Sequence, residues 1–149
     1  MRVLDPVSLV LRKKGCEIWS VPSDATVYSA MQMMADKNVG SLLVIDQGRL
    51  VGLISERDYA RKVILLGRGS KDTLVREIMV PSPMTIEPEC SVDEAMRLIT
   101  TSRMRHLPVV HEGDIVGVIS IGDLVNWIAF AQDQTIEQLE HYIEGKYPC

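Results

Sequence analysis

Aromatic side chains are scarce in this sequence: Phe, Trp and Tyr make up 5% of 149 residues. A surface that stacks single-stranded bases needs several of them, so their scarcity argues against that function. An excess of positive charge is also missing. Lys and Arg number 16 against 20 Asp and Glu, a formal charge of −4, which lacks the footprint of a general nucleic-acid binder. A local basic cluster can still take a small phosphate. Cysteine is thin and scattered. Cys16, Cys90 and Cys149 form no CxxC pair and no Cys/His cluster, which argues against zinc and predicts free thiols in a reducing compartment. His106, His111 and His141 make no metal or triad constellation. No apolar run is long enough to span a bilayer, and MRVLDPVSLVLRKKG at the N-terminus has no long apolar core of a signal peptide. The expectation is a cytoplasmic protein with neither membrane nor nucleic acid among its partners and no metal requirement.

What is present is a repeat. Pro22–Tyr59 aligns without a gap onto Glu87–Leu124. Identical pairs include Val27/Val92, Ala30/Ala95, Met31/Met96, Leu42/Leu107, Val44/Val109, Gly48/Gly113, Gly52/Gly117, Ile54/Ile119, Ser55/Ser120 and Asp58/Asp123. Each copy opens with an extended lead-in, Ile18–Pro22 or Met84–Pro88. Thr26 and Ser91 are N-cap candidates, and Glu94 three residues after Ser91 predicts a capping box. Val27, Ala30, Met31 and Met34 then recur at helical spacing, as do Val92, Ala95, Met96 and Ile99, so each copy has one apolar helix face and the methionines belong to the core. Two apolar runs around a Gly-containing turn predict a hairpin: Leu42–Ile45 and Leu50–Ser55, or Leu107–Val110 and Ile115–Ser120. A helix follows each, with Tyr59, Val63 and Leu66 or Leu124, Val125, Ile128 and Ala129 on its apolar side. Thr135–Tyr147 reads as an additional amphipathic helix carrying Ile136, Leu139 and Ile143. The expected division is an N-terminal segment 1–16, repeats at 17–66 and 84–131, a linker 67–83 and a C-terminal helix 132–149.

The fold class is therefore α/β (α+β). Two small sheets, each with helices on one side, are expected to bury their apolar faces against each other about a pseudo-two-fold axis, because one such unit is too small to stand alone. That packing predicts two clefts. The segments VGLISERD (51–58) and VGVISIGD (116–123) each end a strand in Ser at a helix start, with Asp one turn in. A plain reading makes Ser the cap and Asp a favourable charge at the helix start. A functional reading puts a phosphate at the helix N-terminus and a ribose diol on the Asp. A nucleotide satisfies both. GRGSK (67–71) lacks the spacing of a phosphate loop and reads as polar linker, from which Arg68 or Lys71 can reach a ligand tail.

The repeated G-h-I-S-x-x-D motif, Arg105-His106-Leu107-Pro108-Val109 before the middle strand and the helix Val92–Thr101 together resemble a tandem pair of CBS domains, a Bateman module. SERDYARKV followed by GRGSKDTLVREIM resembles the short stand-alone two-CBS proteins. The resemblance covers residues 17–131. It implies a regulatory ligand containing adenosine: AMP, ADP, ATP, NAD(H) or S-adenosylmethionine. It places ribose hydroxyls on Asp58 and Asp123, and phosphate at Ser55 and Ser120 with the residues that follow, Glu56 and Arg57 or Ile121 and Gly122. The lead-ins at Val21, Thr85 and Ile86 flank adenine. Gly40 and Ser41, or Arg105 and His106, border the phosphates, and Val39, Met104 and Pro108 beside them are further ligand-binding candidates. The first copy has no basic residue there and carries Leu43 where the second has Pro108, so the two clefts are expected to bind phosphate unequally.

These readings make the chain an energy or redox-state sensor that acts on another, unknown protein. The resemblance and the amphipathic C-terminal stretch also imply a homodimer. Two alternatives stand beside the sensor: an interaction or dimerisation scaffold with vestigial sites, and an enzyme. The symmetry of Asp58 and Asp123, with no Ser/His/Asp or Cys/His arrangement, favours binding over a reaction centre.

Overall fold

The computed structural model describes residues 3–15 and 17–143, with side chains through Asp133. In chain order the elements are α1 (Val7–Lys14), β1 (Ser20–Val21), α2 (Val27–Lys37), β2 (Ser41–Asp46), β3 (Arg49–Ser55), α3 (Glu56–Tyr59) with a π-helical turn (Ala60–Ile64), α4 (Val75–Ile78), β4 (Val80–Pro81), α5 (Val92–Ser102), β5 (His106–His111), β6 (Asp114–Ser120) and α6 (Ile121–Ile143). They form two compact units. The first-repeat unit is Glu17–Thr85; the second-repeat unit joins Met1–Cys16 to Ile86–Cys149.

The first-repeat unit has a sheet in the order β1-β2-β3-β4, with β1 parallel to β2 and the other pairs antiparallel. The second-repeat unit has the β5-β6 hairpin, joined in parallel by Ile86 at Val109. Both hairpins turn on two residues with positive φ, Gln47 and Gly48 or Glu112 and Gly113, the turn whose twist suits adjacent strands. Thr26 Oγ1 caps α2 by accepting from the Ser29 amide, and Ser91 Oγ caps α5 by accepting from the Glu94 amide. Asn38 and Arg103 end these helices in the left-handed conformation. Val27, Ala30 and Met34, and likewise Val92, Ala95 and Ile99, lie in the two cores, each helix packing its apolar face within its own unit.

Neither unit is made from its repeat alone. The amides of Val27 and Tyr28, at the start of α2, donate to Thr73 O and Ser70 O. The amides of Val92 and Asp93, at the start of α5, donate to Asp5 O and Val3 O. The orphan donors of each long helix are thus satisfied by a segment outside the aligned repeat. Val75 N bonds Ala25 O and Arg76 N bonds Ser23 O; Val7 N bonds Cys90 O and Ser8 N bonds Pro88 O in the same way. Helices α4 and α1 are therefore equivalent, and Met79 and Leu11 occupy equivalent places. A Cβ on Gly52 would strike the Met79 side chain, and one on Gly117 would lie 2.6 Å from Leu11 Cδ2. The repeated glycine makes room for the complementing segment. Residues 3–15 and 70–81, read from sequence as a terminal segment and part of a linker, are folded parts of the units.

Four local expectations change. Glu94 does not close a capping box with Ser91: its carboxylate accepts from Arg97 Nε at 2.9 Å and from Arg97 Nη2. Leu66 is 67% exposed, because the wider π turn over Ala60–Ile64 shifts the helical phase after Val63 and the chain leaves the helix at Gly67. Val125 and Ala129 also face outward, while Leu124 and Ile128 pack inward. No separate helix begins near Thr135; α6 runs unbroken from Ile121 to Ile143. Cys90 is a free thiol, half-buried, with its pKa raised by burial and by Glu94. Cys16, Cys149 and the side chains of Ile136, Leu139, His141 and Ile143 lie outside the described residues.

Candidate functional site

The strand-end Ser and the Asp after it form a closed box in each unit. In the first-repeat unit Ser55 Oγ accepts from the Asp58 amide at 3.2 Å, and the Ser55 amide donates to Asp58 Oδ2 at 3.0 Å. Ser55 Oγ also donates to Oδ2, at 3.0 Å. In the second-repeat unit Ser120 Oγ accepts from the Asp123 amide at 3.1 Å, and the Ser120 amide donates to Asp123 Oδ2 at 2.8 Å. These reciprocal caps fix both carboxylates at the helix starts.

Each box holds a lysine, and the two come from different places. Lys62 lies one turn beyond Asp58, with Nζ 3.3 Å from Asp58 Oδ1, and donates to Ile78 O at 2.9 Å. Lys14, at the end of α1, places Nζ 2.6 Å from Asp123 Oδ2 and donates to Val118 O at 2.8 Å. Burial is the largest single influence on Asp123 and pushes its pKa up, but the Lys14 bond and charge together with the Ser120 bonds outweigh it, so the net direction is down. At the repeat position of Lys62 stands Trp127, whose Nε1 donates to Asp5 Oδ2 at 2.9 Å. In both units, then, the residue four after the Asp ties the box helix to the complementing segment.

The hairpin brings the start of the middle strand to the same place. Ser41 pairs with Ser55 and His106 with Ser120. The Glu56 amide donates to Gly40 O at 3.1 Å, and the Ile121 amide to Arg105 O at 2.8 Å. Residues that are distant in sequence thus meet at one end of each sheet. Val39 and Met104 sit in the turns just before, with the Val39 amide on Met34 O and the Met104 amide on Ser102 Oγ. Arg57 is half-buried on the box helix; Glu56, Ile121 and Gly122 are exposed there.

Other expected site residues fall elsewhere. Val21 and Ile86 are core residues of their units and Pro108 is buried; Thr85 beside Ile86 is exposed. Pro108 has a structural consequence. The Leu43 amide donates to Trp19 O at 3.2 Å, a bond that proline at the equivalent place cannot make. Among the described residues the lead-in of the second-repeat unit therefore pairs through Ile86 alone, whose amide donates to Pro108 O and whose carbonyl accepts from Val110 N. Arg68 is engaged with Glu77 at 2.6 Å, and Lys71 lies 4.8 Å over the Tyr28 ring. Among the described contacts neither reaches the Ser55–Asp58 box.

The expected role of the helix N-termini narrows as well. The first and third amides of both helices are satisfied internally, by Gly40 O and Ser55 Oγ or by Arg105 O and Ser120 Oγ. Sequence reasoning missed the two cations paired with the box carboxylates, Lys14 and Lys62. Lys62 had a local signal, its spacing of four from Asp58. Lys14 had none, because it reaches Asp123 across more than a hundred residues.

Each unit is thus a sheet-and-helix unit that ends its hairpin in a closed Ser–Asp box. The CBS domain family matches residues 12–64 and 75–130, and the chain belongs to that family. CBS domains are non-catalytic regulatory modules, and the chain carries a regulatory, ligand-sensing role of that general kind. The chain is 39% identical to the CBS domain-containing protein CBSX3, mitochondrial, of Arabidopsis thaliana, over 95% of this chain and 73% of the relative. It is 32% identical to CBS domain-containing protein YhcV of Bacillus subtilis, over 72% of this chain and 76% of that one. A solved structure with CBS domains from Burkholderia ambifaria is 46% identical and superimposes with a TM-score of 0.80, over 83% of this chain and 93% of its own. Among the described residues no group of three or more His, Cys, Asp or Glu side chains is arranged to hold a metal, and no helix is long and apolar enough to cross a membrane.

Proposed function

We propose that the chain binds an adenosine-containing nucleotide, one of AMP, ADP, ATP or NAD(H), as a regulatory ligand and passes its occupancy to a partner protein, with the homodimer as the working assembly. One observation carries this reading: both units fix an Asp carboxylate one turn into a helix and bring the start of the middle strand beside it. A carboxylate held in that way accepts hydrogen bonds from a ribose diol, and Arg57 in one unit and Arg105 with His106 in the other supply cationic or donor groups for phosphate. The cations differ between units, so Arg57→Ala and Arg105→Ala are expected to weaken binding unequally.

A thermal-shift panel of adenine nucleotides and S-adenosylmethionine tests the reading. A ligand at about a hundred times its Kd stabilises by about 2.7 kcal/mol. Asp58→Ala or Asp123→Ala should remove about 1.5–3 kcal/mol of binding while the chain stays folded. No shift with any of these ligands favours a scaffold with vestigial sites. Light scattering that finds a monomer at micromolar concentration, with and without nucleotide, contradicts the dimer.

A further inference from the structure

We propose that Lys14 and Lys62 rank the two sites in opposite directions: Lys14 presents Asp123 as an open acceptor, and Lys62 holds Asp58 closed. The inference rests on the nucleotide-binding reading above and goes beyond it by naming which carboxylate takes the ligand first and which side chains decide. In the second-repeat unit the Lys14 Nζ and Ser120 amide bonds to Asp123 both fall on Oδ2, and the Ser120 hydroxyl adds a weaker interaction with the carboxylate. Two donors converging on one oxygen fix the carboxylate plane and leave Oδ1 as the acceptor for a ligand hydroxyl. In the first-repeat unit both oxygens are engaged. The Ser55 amide and Oγ donate to Asp58 Oδ2, and the Lys62 ammonium stands 3.3 Å from Oδ1. A hydroxyl that approaches Asp58 competes with that ammonium. The exposure agrees: the Asp58 side chain is 13% exposed and that of Asp123 21%.

The two lysines are anchored alike, each donating to a main-chain carbonyl, Val118 O or Ile78 O. They differ in which carboxylate oxygen they face. Lys14 is therefore a positioning residue, and Lys62 competes with the ligand. A purely structural role for both predicts that either substitution weakens binding or leaves it alone; opposite signs follow only from the geometry described.

The test uses the full chain with single-site backgrounds, Asp58→Ala to read the Asp123 site and Asp123→Ala to read the Asp58 site. Adenosine is the probe, because it carries the ribose diol without a phosphate that either lysine would attract directly. In the Asp58→Ala background Lys14→Met is expected to weaken adenosine binding by about fivefold, the scale of one ordinary hydrogen bond. In the Asp123→Ala background Lys62→Met is expected to tighten it by about as much. Should a Met variant fail to fold, Lys14→Gln or Lys62→Gln, which keeps a donor for the carbonyl, reads the same signs. Shifts of the same sign at both sites, or no shift at either, overturn the proposal while leaving nucleotide binding standing. Failure of the unsubstituted chain to bind adenosine and every adenine nucleotide overturns both.

Discussion

The two units share a framework and differ in how it is completed. Both have the same hairpin, the same left-handed helix ends and the same Ser–Asp box. The first-repeat unit is closed by a segment that follows its hairpin, with Met79 against Gly52; the second is closed by residues 3–15, far upstream, with Leu11 against Gly117. The duplicated positions hold the fold, while the lysine that meets each box enters from a different place in the two units. Lys14 arrives with the complementing helix α1, and Lys62 arrives from the box helix itself. Two nearly identical boxes can therefore acquire different chemistry without any change in the motif.

The largest effect that can break this comparison lies in the complementing segments. Leu11 is 4% exposed, so Leu11→Ala should cost about 2–5 kcal/mol. Met79 is only partly buried, and Met79→Ala should cost less; chemical denaturation of the two variants compares them. Equal losses would mean that the two segments are held alike. Next comes the glycine behind each plug. Gly117→Ala places a Cβ 2.6 Å from Leu11 Cδ2 and should cost about 1–3 kcal/mol. Adding Leu11→Ala should relieve part of that cost, because the two changes are in contact. Gly52→Ala should be relieved less by Met79→Ala, since its Cβ would also lie 3.1 Å from the backbone oxygen of Val80. Full relief in both units would erase the distinction.

The smallest effect is electrostatic. The pKa of Asp123 is lowered in the fold: burial raises it, and the Lys14 and Ser120 interactions more than offset that. A folded pKa below the unfolded value gives a contribution that is fully present above about pH 4 and is lost as pH falls through the folded value. Acid titration of stability should therefore be shallower in Asp123→Asn, and also in Lys14→Met, than in the unsubstituted chain. Identical acid profiles would remove Lys14 from the account.

Much of this was legible in the sequence for a definite reason. The helix periods, the hairpins and the Ser–Asp motif are local patterns, and duplication displays each of them twice. Glu94 and Leu66 were misjudged because a neighbour decided the outcome, Arg97 in one case and the π turn in the other. The complementing role of residues 3–15 was hidden because its partners lie eighty or more residues away. The alignment of Leu11 with Met79 falls in a register different from the main repeat, and only the shared glycine contact exposes it. Lys14 was invisible for the same reason.

The most direct measurement is isothermal titration calorimetry of AMP and NAD against the unsubstituted chain, Asp58→Ala, Asp123→Ala and the double variant, with circular dichroism confirming that each is folded. Binding to the unsubstituted chain is expected, with a larger loss of the tighter class in Asp123→Ala than in Asp58→Ala, and binding weakened at both sites in the folded double variant. A double variant that binds either nucleotide as well as the unsubstituted chain does would contradict that expectation.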